Sequence, residues 1–210
     1  MITIDFFHDA VCGWCYVLSP RLRRWADHPQ VQIRQRCFVL QRNEQEMIER
    51  FGSMALAKAE ILRHWQQCQA AADDPARFNT EGMRAKPFSY PSGWLAALFA
   101  KAAEITYGTA AHWDMFDEIQ RRHLLLNENI GSEDTLIAAA NTLGFDGKAL
   151  AEQVKTEELR LLVEDDIALA RRLNVRSIPT LLINGKTLVS STLTNEQLEQ
   201  LIEQQLAEAA

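Results

Sequence analysis

The stretch Ile4-Asp5-Phe6-Phe7-His8-Asp9-Ala10-Val11-Cys12-Gly13-Trp14-Cys15-Tyr16 decides how this chain folds. From Ile2 to Phe7 the sequence is apolar except at Thr3 and Asp5, a pattern that suits a strand buried on both faces. From Cys12 the period changes. Cys15, Leu18, Leu22 and Trp25 recur at three and four, one apolar stripe along a helix. Pro20 lies inside that stripe and predicts a kink or a lost hydrogen bond, and His28-Pro29 ends the helix. The two cysteines therefore stand where a buried strand gives way to a helix. There the unpaired N–H groups and the positive dipole end favour a thiolate on Cys12, and only the thiolate attacks a disulfide. Cys15, one turn in, is close enough to close a disulfide and is expected to be more buried. The spacing assigns Cys12 as attacking thiol and Cys15 as resolving thiol.

Two plainer readings compete. Half of a zinc site would need two further ligands, but there is no second C-x-x-C, Cys37 and Cys68 lie far apart, and the five histidines are scattered, so no metal is expected. Two cysteines packed as small hydrophobes is the other reading, and the strand-to-helix setting argues against it.

Working outward, Val31 to Leu40 alternates in its first half, with Val31, Ile33 and Cys37 on one face and Gln32, Arg34 and Arg36 on the other, as in a half-solvated or edge strand. Helical patterns then follow for over a hundred residues. Asn43 and Ser53 stand as caps, Ser92 opens a helix closed at Gly108, and further segments cover about 112–126, 133–143 and 148–154. Thr156 caps a long helix with Leu159, Val163, Ile167 and Ala170 inward. Ser177-Ile178-Pro179-Thr180 leads into the strand Leu181-Leu182-Ile183, Asn184-Gly185 signals a hairpin, and Thr194 with Gln197 forms a capping box for a closing helix. The fold class is α/β: a sheet of about four strands in residues 1–42 and 156–210, interrupted by an all-helical insertion at 43–155.

The chain has 210 residues, 47% of them hydrophobic and 24% charged, with a formal net charge of −6. No basic stripe meets nucleic acid, and no apolar run spans a membrane. Four cysteines are too few for a disulfide scaffold, and without an export signal the expected compartment is the cytoplasm.

The opening stretch resembles the start of DsbA-family thioredoxin-like proteins, and within them the FrnE-like branch, whose members read roughly D-x-x-x-D-x-x-C-P-W-C-Y. The resemblance recurs at Val175-Arg176-Ser177-Ile178-Pro179-Thr180 and Ile183-Asn184-Gly185, and more weakly at Cys37-Phe38-Val39-Leu40. It implies a thioredoxin-like fold with a large helical insertion and a bacterial thiol–disulfide oxidoreductase. It also implies a cis bond before Pro179 and a substrate that lies extended beside Ile178 and Pro179. The expected cofactor set is empty apart from the Cys12–Cys15 disulfide itself, with glutathione a candidate co-substrate. The expected partner is a thiol- or disulfide-bearing protein or small molecule, and the oligomeric state stays open. One departure stands out: Gly13 replaces the family proline, which predicts a looser helix start and an altered potential.

Other residues are candidates of a lower order. Asp5 is read as a proton relay for Cys15, or more plainly as a strand-end carboxylate bonded to backbone or a neighbouring helix; the plainer reading is preferred. His8 is a thiolate tuner if cationic, though a solvated loop position is expected. Trp14 covers the site or touches substrate. Cys37 and Cys68 are expected to pack, as are Trp65, Trp94 and Trp113. Residues 21–42 are locally basic and form a solvated face that could steer acidic partners or glutathione. Two rivals to the redox function remain. One is a glutathione-dependent transferase or isomerase of the kappa-class or hydroxychromene-carboxylate isomerase type, whose members generally carry serine in the first position. The other is a chaperone-like module with a vestigial pair.

Overall fold

The computed structural model of the chain describes residues 1–209. β1 (Ile2–His8) pairs in parallel with β2 (Val31–Cys37) and antiparallel with β3 (Thr180–Ile183), which turns back as β4 (Thr187–Val189). The order β2-β1-β3-β4 places the apolar strands β1 and β3 in the centre and the alternating strand β2 at an edge. Asn184 and Gly185 take φ of 52° and 68°, the left-handed pair that a two-residue hairpin demands. β2 stops at Cys37 instead of reaching Leu40. The Asp166 carboxylate takes the Cys37 N–H (3.1 Å) and the Asp9 carboxylate takes the Leu40 N–H (2.8 Å), so side chains draw the backbone out of the sheet.

The crossover helix α1 (Gly13–Arg23) carries Pro20 in its interior. The proline cannot donate to the Tyr16 carbonyl four residues back, and Arg77 fills that vacancy with an N–H to the same oxygen at 3.2 Å while its guanidinium lies over the Tyr16 ring. The helix ends at Arg23, earlier than His28, because Trp25 and Ala26 donate to carbonyls three residues back and the last turn tightens.

Every element between β2 and the long helix α9 (Glu157–Arg172) is helical: α2 (Glu44–Phe51), α3 (Met54–Ala71), α4 (Thr80–Ala85), α5 (Trp94–Tyr107), α6 (Thr109–Gln120), α7 (Glu133–Thr142) and α8 (Gly147–Gln153). A single 3₁₀ turn precedes α4, and α6 runs on into a π turn over Arg121–Leu125. Asn43, Ser53 and Thr156 cap as expected, and Thr194 with Gln197 completes the capping box of α10 (Asn195–Glu208). The insertion has no core of its own. Trp65, Phe99 and Phe116 belong to the same buried cluster as Ile4, Phe6, Leu18 and Ile202, each such side chain contributing about 1.5–3 kcal/mol by burial. Phe7 and Leu182 face the other side of the sheet, against Ala170 and Val175. Trp65 and Trp113 are core residues, whereas Trp94 is only half-buried, covered by the Arg42 guanidinium.

The basic face expected over residues 21–42 does not exist as a free patch. Arg21 pairs with Asp73, Arg23 with Asp114 and Asp117, Arg34 and Arg36 with Asp5, and Arg42 with Glu164. These acids come from distant parts of the chain, which the local sequence could not show. Arg36 also reaches Asp166, whose second oxygen lies 2.7 Å from the buried Lys101 ammonium. Asp166→Asn should therefore strip Lys101 of one of its two anions, leaving Glu104 at 2.9 Å, and cost about 1–3 kcal/mol, read as a lower urea midpoint; a loss below about 0.5 kcal/mol would deny that ion pair a structural role.

Candidate active site

Cys12 is the N-cap of α1, only 7% exposed, and Cys15 beneath it is fully buried; neither is in a disulfide. The Cys12 Sγ accepts the Cys15 N–H at 3.3 Å and lies 3.8 Å from the Ile178 carbonyl. Because Thr180 pairs with Phe7, the loop that precedes β3 arrives at the C-terminal end of β1, beside the thiol. The Ile178–Pro179 peptide is cis, and the Thr180 hydroxyl donates to the Ser177 carbonyl (2.7 Å) to pin that loop. The structure thus brings Cys12, Gly13, Trp14, Cys15, Ile178 and Pro179 together.

The turn between strand and helix is gripped by residues that no local sequence pattern singles out. The Gln120 amide, buried on α6, donates to the carbonyls of Cys12 (3.0 Å), Ala10 (3.4 Å) and Asp9 (3.5 Å). The Tyr90 hydroxyl donates to the Val11 carbonyl (3.0 Å) and itself accepts the Trp65 indole N–H (3.1 Å). The Asp9 carboxylate takes the N–H groups of Val11 (3.2 Å) and Leu40 (2.8 Å). Burial raises Asp9 to about 6 against those hydrogen bonds, which pull the other way. Burial, followed by the hydrogen bond to Cys12 and the negative charge there, holds the Cys15 thiol well above its ordinary value, and the charge of Asp9 adds to this. Cys15 is therefore a protonated thiol at rest, with a carboxylate of near-neutral affinity at hand.

Two expectations need correction. His8 is not a solvated loop residue and is no cationic tuner. It closes β1, is buried, and packs at a tilt against Phe116 with ring centroids 3.9 Å apart. Burial, then the charges of His112 and Lys101, lowers its pKa well below the usual value, so the ring is neutral. Asp5 is no relay, because its partners are two cations, the guanidinium groups of Arg34 (2.7 and 2.9 Å) and Arg36 (2.8 Å), where Asp9 has only neutral N–H groups. Nor is Asp5 bonded to backbone or to a helix: its partners are guanidinium groups of the neighbouring strand β2. Asp9 has the surroundings that a relay needs. Its signal lay in the sequence, as an acid directly before an apolar turn into the cysteine pair. Among the described residues no three His, Cys, Asp or Glu side chains gather as a metal site.

The model of the DSBA-like thioredoxin domain matches residues 3–204. The chain belongs to that family. No significant match is found among curated protein sequences. In fold, this DSBA-like chain is similar to a candidate protein disulfide isomerase from Nitrosomonas europaea (TM-score 0.81, 16% identity, covering 100% of this chain and 99% of that one). It is similar also to the cytosolic disulfide reductase DsbM from Pseudomonas aeruginosa with GSH (TM-score 0.79, 20% identity, 98% and 99% covered). A third likeness is to a 2-hydroxychromene-2-carboxylate isomerase (TM-score 0.68, 14% identity, 99% of each chain covered). No helix is long and apolar enough to cross a membrane.

Within this DSBA-like frame the glycine at position 13 has a local cause. A Cβ there would come within 2.9 Å of Cys68 Sγ and 3.3 Å of Cys68 Cβ. Cys68, on α3, packs as expected, but it packs against the turn that carries Cys12 and Gly13, which the sequence did not reveal. With Trp14 it also helps line a cavity that opens beside Cys12. Cys37 lies apart, buried at the end of β2 with its thiol 3.7 Å from the Ala97 carbonyl. Gly13→Pro is expected to lose about 1–3 kcal/mol by overpacking on Cys68, and Cys68→Ala to restore most of that loss in the double variant. Urea unfolding of the four proteins measures this; strictly additive costs would mean that position 13 does not answer to Cys68.

Proposed function

We propose that this chain is a thiol–disulfide oxidoreductase that works by thiolate exchange through Cys12 and Cys15. The observation that carries the reading is the asymmetry of the pair: a rim thiol at a helix start, held between an N–H and the Ile178 carbonyl, over a buried, protonated partner. The Cys12 thiolate attacks one sulfur of a substrate disulfide. A Cys12–substrate disulfide forms as the substrate S–S bond breaks, and the other substrate sulfur leaves with the electron pair. Asp9 takes the Cys15 proton, directly or through a water. Cys15 then attacks Cys12 Sγ, the mixed disulfide breaks, and the second substrate thiolate leaves. The substrate gains two electrons, and the protein is left with a Cys12–Cys15 disulfide. Two thiols must reduce it again, and glutathione is the reductant of choice. An extended substrate backbone would lie along Ile178–Pro179, with Trp14 against it.

The direction belongs to the proposal as well. In a glutathione-poised cytoplasm, reduction or isomerisation is the more plausible duty, and the similar fold of a cytosolic disulfide reductase supports that choice. The isomerase fold resembled here leaves the glutathione-dependent transferase reading as the alternative, but a second thiol beneath Cys12 has no task in it.

Two variants test the assignment in insulin reduction and in single-turnover exchange. Cys12→Ser should abolish turnover. Cys15→Ser should stop at a covalent mixed disulfide visible by mass. Activity that survives both would end the redox reading, and retained client binding without turnover would favour a chaperone.

The pH dependence tests Asp9. Only the carboxylate accepts a proton, so resolution should accelerate as pH rises through about 6, where Asp9 ionises. Asp9→Asn should slow resolution by about 10²–10⁴-fold and remove that limb from the rate profile; an unchanged limb would place the base elsewhere.

A further inference from the structure

The cavity beside Cys12 has a volume of about 180 Å³. Val11, Trp14, Met47, Phe51, Ile61 and Ile178 supply its apolar walls. A cavity of about 150 Å³ with such walls is known to hold one benzene ring, so this one has room for a single large apolar side chain. It is not an incidental gap in the packing, for it opens directly onto the thiol and is walled jointly by the catalytic turn, by α2 and α3 of the insertion, and by Ile178. At its mouth the cation Arg50 is exposed, on α2. Its guanidinium lies 5.5 Å from the Phe51 ring, and among the described residues no carboxylate lies within ion-pair distance of it. The other cationic candidate on the lining, His64, is already engaged by Glu60 at 3.2 Å. Most arginines near the site are paired; this one is free and faces the opening.

We propose that the cavity is a specificity subsite for disulfides whose reacting cysteine is followed by a large apolar residue bearing a free carboxylate. The apolar side chain seats among Met47, Phe51 and Ile61, and the carboxylate meets Arg50. This rests on the exchange chemistry above and names the class of substrate it serves. The residues that choose the substrate belong to the insertion, and the residues that react belong to the thioredoxin-like part.

The probes are 2-thiopyridyl disulfides of N-acetyl-Cys-Leu, N-acetyl-Cys-Phe and N-acetyl-Cys-Ala, each as free acid and as amide. Cys12 attacks the peptide sulfur, 2-thiopyridone leaves, and Cys15 then releases the peptide thiol. Rates are taken relative to those of a free cysteine peptide in solution, so that intrinsic reactivity cancels. The Leu and Phe acids should exceed the Ala acid at least tenfold in kcat/KM, chiefly through KM. Each acid should exceed its amide, and Arg50→Gln should abolish that second preference alone. Ile61→Trp, which fills the cavity, should abolish the first; if that variant does not fold, Met47→Trp makes the same test. Leu, Phe and Ala acids within twofold of one another, or a preference that survives the filled cavity, would overturn the subsite. If no probe reacts, the exchange reading falls with it. If the Ala probe reacts through Cys12 with no preference for size, exchange stands and the subsite alone is refuted. Extending the peptides at the N-terminus separates the sources: a further rise in rate marks a polypeptide substrate, and no rise a small-molecule one.

Discussion

The fixed turn at residues 9–12 is the constraint on which the rest depends. A thiolate at a helix start is useful only if the N–H that faces it and the carbonyl across from it hold still. Here the backbone is gripped through the carbonyls of Asp9, Ala10 and Cys12 by Gln120, through that of Val11 by Tyr90, and through the amide of Val11 by Asp9 itself. The gripping groups come from α6, from the loop before α5 and from the turn. The helical insertion thus acts as part of the reaction's scaffold. Net hydrogen bonds of this kind contribute about 0.5–1.5 kcal/mol each, so their greater effect is to fix one geometry.

The same grip explains the state of the two acids near the site. Asp5 and Asp9 lie on one strand and its end, four residues apart, and both are buried. Asp5 meets two guanidinium groups, which occupy both of its oxygens. Asp9 meets only neutral N–H groups, which do not offset its burial, and it is left able to exchange a proton near pH 6. A carboxylate that is already paired cannot serve as a base for Cys15. What separates the two is their partners, and those partners are set by strand register: Asp5 stands opposite Arg34, whereas Asp9 lies beyond the last β1 residue.

Much of the fold was legible because its signals are local. The central strands read as apolar runs, the helices announced themselves by caps, and Asn184-Gly185 marked the hairpin. The placement of Cys12 and Cys15 was legible for the same reason, since a strand-to-helix junction shows in thirteen residues. What could not be read depends on long-range approach. Cys68 and Gly13 are 55 positions apart, and nothing near either one says that they touch. The arginines of 21–42, Arg24 apart, looked free because the acids that bind them lie 29 to 130 residues away. His8 looked like a loop residue because β1 runs one residue further than its apolar pattern and ends beneath Phe116.

Gly13 shows where those two kinds of information meet. Read locally, it is the loss of a rigidifying proline and so a defect in the motif. In the folded chain the missing side chain is what lets α3 approach the catalytic turn, with Cys68 Sγ in the space that a Cβ would need. That approach also brings Ile61 and Trp65 of the same helix to the cavity beside Cys12. A proline there would push α3 outward or force Cys68 to turn toward the cavity, so the residue within the motif and the wall beside the thiol cannot vary independently. The constraint runs from the helical insertion to the Cys12–Cys15 motif, and a change in the cavity wall restricts which residue can follow Cys12.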